Sequence, residues 1–134
     1  MKKKLNCILL TDDNTADNFF HMRTIQKMNI TENIEVALNG AQALEFIKKS
    51  AVPPDIIFLD INMPRVNGWE FMRAYEELSS EQKSKAVIVM LTTSEDPEDK
   101  ERAREFPDIT GFNSKPLTKE MINQILLEHF PDYL

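Results

Sequence analysis

The chain alternates short apolar runs with longer segments in which apolar residues recur at helical spacing. Short runs rich in isoleucine and valine are typical of strands buried on both faces of a parallel sheet. The pattern predicts five strands, at residues 5–10, 33–38, 55–59, 87–91 and 109–113.

The segments between these strands have helical periodicity. Helices are predicted at residues 14–28, 41–49, 68–78, 98–105 and from Thr118 onward, with a polar link at residues 79–85. In the first helix, the predicted inner face carries Phe19, Met22, Ile25 and Met28. Pro97 suits a first helical turn, and Thr118 is a suitable N-terminal cap,.

Regular alternation of strands and helices predicts an α/β fold with right-handed crossovers. We expect a five-stranded parallel sheet with helices on both faces. The length of 134 residues suits one domain, residues 1–134,. Because the fifth helix uses the remaining length, we expect no output domain.

Composition narrows the function classes. The formal net charge of -6 disfavours a nucleic-acid surface, which is normally basic,. No apolar stretch approaches the roughly 20 residues that a membrane helix needs, so no membrane association is expected,. The single cysteine, Cys7, cannot form an internal disulfide; this fits a reducing cytoplasm, and its place in a strand predicts a core residue,.

Charged and hydroxyl side chains follow four of the predicted strands. They are Asp12 and Asp13 after the first, Asp60 after the third, Thr92 after the fourth and Lys115 after the fifth. Open α/β sheets bind their ligands in the crevice outside the carboxyl ends of parallel strands. The sequence therefore predicts that these side chains form one site.

Each feature taken alone has an ordinary explanation. Asp12 and Asp13 could cap the first helix, and Lys115-Pro116 could simply lead into the last one. Asp60 is harder to explain in this way, because an acid after four large apolar residues is costly to bury without a partner. His21 is predicted to be a solvated helix residue and His129 a helix-end residue.

Five motifs resemble those of the receiver domain of bacterial two-component response regulators. They are Asp12-Asp13, Asp60 within Leu-Asp-Ile-Asn-Met-Pro, Asn67-Gly68, Leu91-Thr92-Thr93 and Lys115-Pro116. The resemblance covers essentially the whole chain and is strongest to stand-alone, chemotaxis-regulator-like receivers. It implies the flavodoxin-like strand order 2-1-3-4-5.

The acidic residues suit a magnesium site. Mg²⁺ prefers oxygen ligands and keeps several waters, so one or two carboxylates and a phosphate oxygen suffice. Asp13 is predicted as a direct ligand, Asp12 as a direct or water-mediated one, and Asp60 as a third. The resemblance adds the backbone carbonyl of Asn62.

The remaining residues suit phosphoryl transfer to a carboxylate. A carboxylate can accept a phosphoryl group as an acyl phosphate, and Asp60 is the best candidate because it ends the central strand. Lys115 offers a positive charge and Thr92 a hydroxyl donor to the phosphoryl oxygens. Phe112, where the family often has a switching aromatic residue, lacks the hydroxyl that would anchor a tyrosine-type switch.

The resulting hypothesis is a phosphoryl-accepting signalling switch. Its expected donor is a histidine kinase or a histidine phosphotransfer protein, and its output is contact with a downstream protein. It would catalyse only its own phosphorylation and dephosphorylation. Two rival classes remain. An aspartyl-nucleophile phosphohydrolase would require an Asp-x-Asp pair on the first strand. A flavodoxin-like electron carrier would require a phosphate-binding loop rich in Ser, Thr and Gly.

Overall fold

A computed structural model describes residues 4–83, 86–93 and 96–133. Five parallel strands form one sheet in the order β2-β1-β3-β4-β5. They span Leu5–Thr11 (β1), Thr31–Ala37 (β2), Ile56–Leu59 (β3), Val87–Thr92 (β4) and Ile109–Ser114 (β5). The predicted fold class and strand order are confirmed.

Within the described residues, six α-helices connect and follow the strands. They span Thr15–Met28 (α1), Gly40–Lys49 (α2), Gly68–Glu76 (α3), Ser80–Lys83 (α4), Pro97–Ala103 (α5) and Lys119–His129 (α6), and a 3₁₀ helix covers Pro131–Tyr133. Across the described residues, none of these helices combines the length and apolar character that a membrane crossing requires.

Several boundaries differ from the prediction by one or two residues, and one short helix was not predicted. The second strand begins at Thr31 rather than residue 33, because β2 continues its pairing with β1 down to the partners Leu5 and Thr31. The polar link predicted at residues 79–85 contains α4, a single helical turn, in its described part. Ser79 starts this turn, since its hydroxyl accepts a hydrogen bond from the Gln82 amide at 3.2 Å.

The sheet separates two apolar cores because successive strand residues point to opposite faces. Ile8, Leu10 and Phe58 pack with α1 and α6 on one face. Leu9, Ile57 and Met90 pack with α2, α3 and α5 on the other. Cys7 is buried in β1, as predicted, and burial raises the pKa of its thiol to about 11.

The inner face of α1 was predicted correctly at Met22, Ile25 and Met28, which pack in one core, but wrongly at Phe19. Phe19 is 62% exposed, whereas Asn18 and His21 are buried together with Ile25. The first half of α1 lies beside the carboxyl ends of the strands, where the polar groups of the site supply the contacts. Its buried face is therefore polar near the site and apolar farther along.

Asparagine and threonine caps fix where the helices begin. Asn14 accepts from the Asp17 amide at the start of α1, and Thr118 accepts from the Met121 amide at the start of α6. Asn67 and Glu70 form a reciprocal capping box at the start of α3,. The loop that follows Asp60 therefore ends at a firmly capped helix.

Candidate functional site

Three carboxylates meet at the carboxyl end of the sheet. Thr11 pairs with Leu59, so Asp12 and Asp60 leave neighbouring strands at the same level. The Asp60 amide also donates to the Thr11 carbonyl at 2.9 Å, which continues the ladder by one residue. Asp12, Asp13 and Asp60 each offer an oxygen, and these three oxygens lie within 4.8 Å of one another.

Local hydrogen bonds orient the two buried acids. Asp12 Oδ1 accepts from the Asn14 amide at 2.9 Å, and the Asn18 side-chain amide donates to the Asp12 carbonyl at 2.7 Å. Asp60 Oδ1 accepts from the Ile61 amide at 3.0 Å. Asp12 is 4% exposed and Asp60 9%, while Asp13 is exposed, so the cluster opens to solvent on the side of Asp13.

Lys115 brings a positive charge to the acids. Its Nζ makes a short hydrogen bond to Asp12 Oδ2, a second one to Asp17 Oδ2 at 3.0 Å, and lies 3.7 Å from Asp60 Oδ2. The Lys115 amide donates to the Thr92 carbonyl at 3.0 Å, which ties the ends of β4 and β5 together. The Lys115-Pro116 peptide bond is cis, a conformation that the sequence allowed.

The crowding of charge perturbs the titration of the site. Burial, and then the neighbouring charges of Asp12 and Asp13, raise the pKa of Asp60 to about 6, although Lys115 and the Ile61 amide oppose the shift. Burial would lower the pKa of Lys115, but its hydrogen bonds to Asp12 and Asp17 and the charge of Asp60 raise it above its usual value. The ammonium is therefore charged at neutral pH.

The donor set fits a hard divalent cation. Carboxylate oxygens are the ligands that such ions prefer, and three of them converge here on one open side,. Like charges held this close raise the pKa of at least one member, as happens at Asp60,. A cation would relieve that repulsion, so the acidic cluster is suited to hold a metal ion.

His21 is not the solvated residue that the sequence predicted. It is 3% exposed, and its Nε2 accepts a hydrogen bond from the Leu117 amide at 3.2 Å. Because Nε2 is an acceptor, the proton of the neutral ring is on Nδ1. Burial lowers the pKa of His21. The ring thereby fastens α1 to the segment that follows Lys115.

Gly68 allows the start of α3 to approach the backbone of Asp60. A Cβ at this position would lie 2.7 Å from the Asp60 carbonyl oxygen and 3.0 Å from Ile61 Cα. Because backbone atoms cannot rotate away, we expect Gly68→Ala to lower the free energy of unfolding by about 1–3 kcal/mol. Urea denaturation measures this change.

Gly111→Ala is the matched control for that substitution. The three atoms nearest to a Cβ at Gly111 would all belong to the Val89 side chain, at 3.3 Å and beyond, and this side chain can shift slightly. The control variant should lose clearly less stability than Gly68→Ala. Equal losses in the two variants would show that the contact with Asp60 is not responsible.

The predicted site residues differ in how closely they meet. Asp12, Asp13, Asp60 and Lys115 form one cluster. Thr92 is buried at the end of β4 and is joined to Lys115 through the backbone, whereas Asn62 is an exposed loop residue. The roles assigned to the Thr92 hydroxyl and the Asn62 carbonyl stay predictions. 

The sequence interpretation missed Asp17 and Asn18. An acid three residues after an N-cap is normally attributed to the helix dipole, and an asparagine within a helix to its solvated face. The available signal was the spacing of Asp17 and His21, which share one face of α1. Phe112 is half-buried in β5 beside the core that contains α5, and its role in switching stays a prediction.

Sequence and structural comparisons agree on one family. The family model of the response regulator receiver domain matches residues 8–127. A two-component response regulator from Cytophaga hutchinsonii is 29% identical, with a TM-score of 0.86 over 94% of this chain and 97% of that chain. The chemotaxis response regulator CheY4 of Vibrio cholerae is also 29% identical, with a TM-score of 0.76 over 93% and 98% of the two chains.

A longer relative contains the same region. Hybrid signal transduction histidine kinase B of Dictyostelium discoideum is 30% identical over 95% of this chain, which spans only 7% of that relative's length. The chain therefore belongs to the response regulator receiver domain family, a family of signalling switches in two-component systems.

Proposed function

We propose that the chain accepts a phosphoryl group on Asp60 and thereby switches a two-component signalling pathway. The observation that carries the proposal is the convergence of three carboxylates within 4.8 Å, with Lys115 Nζ 3.7 Å from Asp60 Oδ2. Asp60 is the acceptor in this proposal because it follows the central strand β3, and its carboxylate lies close both to the other two acids and to Lys115 Nζ.

The donor would be the phosphohistidine of a histidine kinase or of a histidine phosphotransfer protein. A carboxylate oxygen of Asp60 forms the new P–O bond while the P–N bond breaks, and the electron pair returns to the imidazole nitrogen. Transfer through a loose transition state needs mainly alignment and charge neutralisation. The ionised form of Asp60 is the nucleophile. Its pKa is about 6 without a metal ion, and bound Mg²⁺ would favour the ionised form and so extend acceptance to lower pH,.

Mg²⁺ is the cofactor that the donor set favours. Asp12, Asp13 and Asp60 would hold it with the backbone carbonyl of Asn62, and the bound ion would neutralise charge on the phosphoryl oxygens,. The exposed position of Asp13 leaves room for the water ligands that Mg²⁺ usually keeps,.

Lys115 and Thr92 would bind the phosphoryl group once it is attached. The ammonium of Lys115 is already charged, and its Nζ lies 3.7 Å from Asp60 Oδ2, close to where a phosphoryl group on Asp60 would be. Thr92 would donate from its hydroxyl. Phosphorylation adds about -1.5 to -2 charge, which is enough to redirect these two side chains and the strand ends that carry them.

The wider setting follows from the same proposal. We treat residues 1–134 as one receiver domain that works in the cytoplasm, catalyses its own phosphorylation and later hydrolysis, and signals by contact with a downstream protein. The family match over residues 8–127 supports this. A hybrid histidine kinase among the relatives also supports a histidine kinase or phosphotransfer partner.

Intact-mass measurement after incubation with acetyl phosphate tests the function. With Mg²⁺ the protein should gain the mass of one phosphoryl group, and with a chelator in place of Mg²⁺ it should gain none. Hydroxylamine should remove the added mass, because it cleaves acyl phosphates and spares phosphate esters. No mass gain with Mg²⁺, or a gain that resists hydroxylamine, would contradict the proposal.

A further inference from the structure

Lys115 has a counter-ion that lies outside the acidic cluster. Asp17 Oδ2 accepts a hydrogen bond from Lys115 Nζ at 3.0 Å. The Asp17 side chain is 37% exposed, whereas that of Asp12 is 6% exposed and that of Lys115 10%. Asp17 is not among the three acids whose oxygens converge within 4.8 Å. It therefore contacts the lysine without contributing to the candidate metal site.

The fold holds this ion pair in place from both sides. The Asn14 cap accepts from the Asp17 amide at 3.0 Å and fixes the first turn of α1. The His21 ring, one turn later, accepts from the Leu117 amide and fastens α1 to the segment after Lys115. Because both ends are anchored, the pair differs from an exposed ion pair between two mobile side chains, whose net value is usually small.

The geometry makes Asp17 and a phosphoryl group rivals for the same ammonium. A lysine has three N–H donors, and Asp12 and Asp17 occupy two of them,. A cation bound to Asp12 would weaken the pull of Asp12 on Lys115. The negative charge of Asp17 would still attract the Lys115 ammonium, because no cation is expected to bind Asp17. The hydrogen bond to Asp17 would therefore oppose a movement of the Lys115 ammonium from α1 toward a phosphoryl group on Asp60.

We propose that Asp17 is a positioning residue that holds Lys115 toward α1 and so lowers the affinity of the site for a phosphoryl group. This inference rests on the proposed function of Asp60 as the phosphoryl acceptor. In this mechanism Asp17 acts through the lysine, its hydrogen-bond partner at 3.0 Å. Its consequence is a less populated and shorter-lived phosphorylated state than the other site residues alone would give.

The size of the effect follows from the exposure of Asp17. A hydrogen bond to a charged group contributes more than one between neutral groups, and solvent screening at a partly exposed carboxylate reduces that contribution. We therefore expect removal of the Asp17 charge to strengthen binding of a phosphoryl analogue by about three- to tenfold.

The test measures the affinity of the full chain for beryllofluoride, an analogue of the phosphoryl group on a carboxylate, by calorimetry at saturating Mg²⁺. Asp17→Asn should bind beryllofluoride about three- to tenfold more tightly than the wild type. Asp17→Glu keeps the charge and should behave like the wild type. Glu32→Gln removes an exposed charge on β2 and should leave the affinity unchanged. Mg²⁺ affinity, measured separately, should change less than about twofold in Asp17→Asn.

A double-mutant cycle separates this mechanism from simple charge removal. In the Lys115→Met background, Asp17→Asn should alter beryllofluoride affinity by less than about twofold, because the lysine through which Asp17 acts is missing. Equal or weaker binding by Asp17→Asn, or the same tightening in the Lys115→Met background, would overturn the proposal. A wild-type protein that binds no beryllofluoride would instead refute the function proposed for Asp60.

Discussion

Replacing Lys115 with methionine is expected to destabilise the metal-free protein by about 2–4 kcal/mol at pH 7. Methionine keeps the length of the side chain but removes its charge. Asp12, 4% exposed, and Asp60, 9% exposed, would then face each other without the ammonium that now lies between them. Breaking a buried ion pair by removing one partner is costly, because the remaining charge is left uncompensated.

Chemical denaturation at several pH values measures the effect and its sign. As pH falls through about 6, Asp60 takes up a proton in the folded state and the repulsion with Asp12 declines,. The stability difference between wild type and Lys115→Met should therefore narrow on acidification. Titration of the Lys115 ammonium does not contribute to this narrowing. Because its folded-state pKa is raised, the ammonium stays charged below the ordinary lysine pKa, and the stability it gives through its own charge is lost only at alkaline pH.

Lys83→Met is the matched control. Lys83 forms a 3.1 Å ion pair with Asp108, but the two side chains are 23% and 32% exposed. A partly exposed pair of this kind contributes at most about 1 kcal/mol. If Lys115→Met cost no more than Lys83→Met at pH 7, or showed no dependence on pH, Lys115 would not be the cation that stabilises the acidic cluster.

Replacing Asp13 with alanine is expected to remove most of the stabilisation that Mg²⁺ gives. A ligand that binds only the folded state at ten times its Kd adds about 1.4 kcal/mol to the free energy of unfolding. Asp13 is the exposed member of the trio and supplies one of its three converging oxygens. Its loss should raise the Kd for Mg²⁺ by about tenfold or more and remove most of the increase in Tm.

Thermal denaturation with and without Mg²⁺ provides the measurement. Asp132→Ala, which removes an acid beyond the far end of α6, should keep the wild-type response. Since binding selects the ionised carboxylates, the response of the wild type should weaken as pH falls below about 6, the pKa of Asp60,. An undiminished Mg²⁺ response in Asp13→Ala would exclude Asp13 as a ligand.

The sequence was sufficient to predict the strands and the residues at their ends. Ile56–Leu59 and Val87–Thr92 are buried on both faces, so their apolar runs are uninterrupted and easily recognised,. The polar residue that ends such a run is equally conspicuous, as Asp60 shows. A parallel sheet then brings these residues to one edge. The order of the strands came from the family resemblance.

Other features depend on tertiary contacts that no local pattern encodes. His21 is buried because Leu117, 96 residues away, donates to its ring. Phe19 is exposed because the beginning of α1 turns its polar side toward the site. The guanidinium of Arg23 lies over the exposed Phe19 ring, 5.8 Å from its centroid. The pairing of Asp17 with Lys115 likewise joins residues that are distant in sequence. Helical spacing identified the buried face of α1 at Met22, Ile25 and Met28, but not the polar residues that are buried near the site.

The family assignment excludes the two rival classes, an aspartyl-nucleophile phosphohydrolase and a flavodoxin-like electron carrier. The phosphohydrolase would need its nucleophile on the first strand, whereas here the adjacent pair Asp12-Asp13 follows β1 and Asp60 follows β3. A flavodoxin-like carrier would need a phosphate-binding loop after β1, where these two acids would repel a phosphate. The receiver match over residues 8–127 accounts for all of these positions together.

Locating the phosphoryl group on the chain is the most direct test of the account. Borohydride reduces an aspartyl phosphate to homoserine, so peptide mass spectrometry after phosphorylation and reduction identifies the acceptor residue. We predict homoserine at position 60 alone, in the peptide that contains Ile61 and Asn62, and no phosphorylation of Asp60→Asn under the same conditions. Homoserine at position 12 or 13 instead, or undiminished phosphorylation of Asp60→Asn, would contradict the assignment of Asp60 as the acceptor.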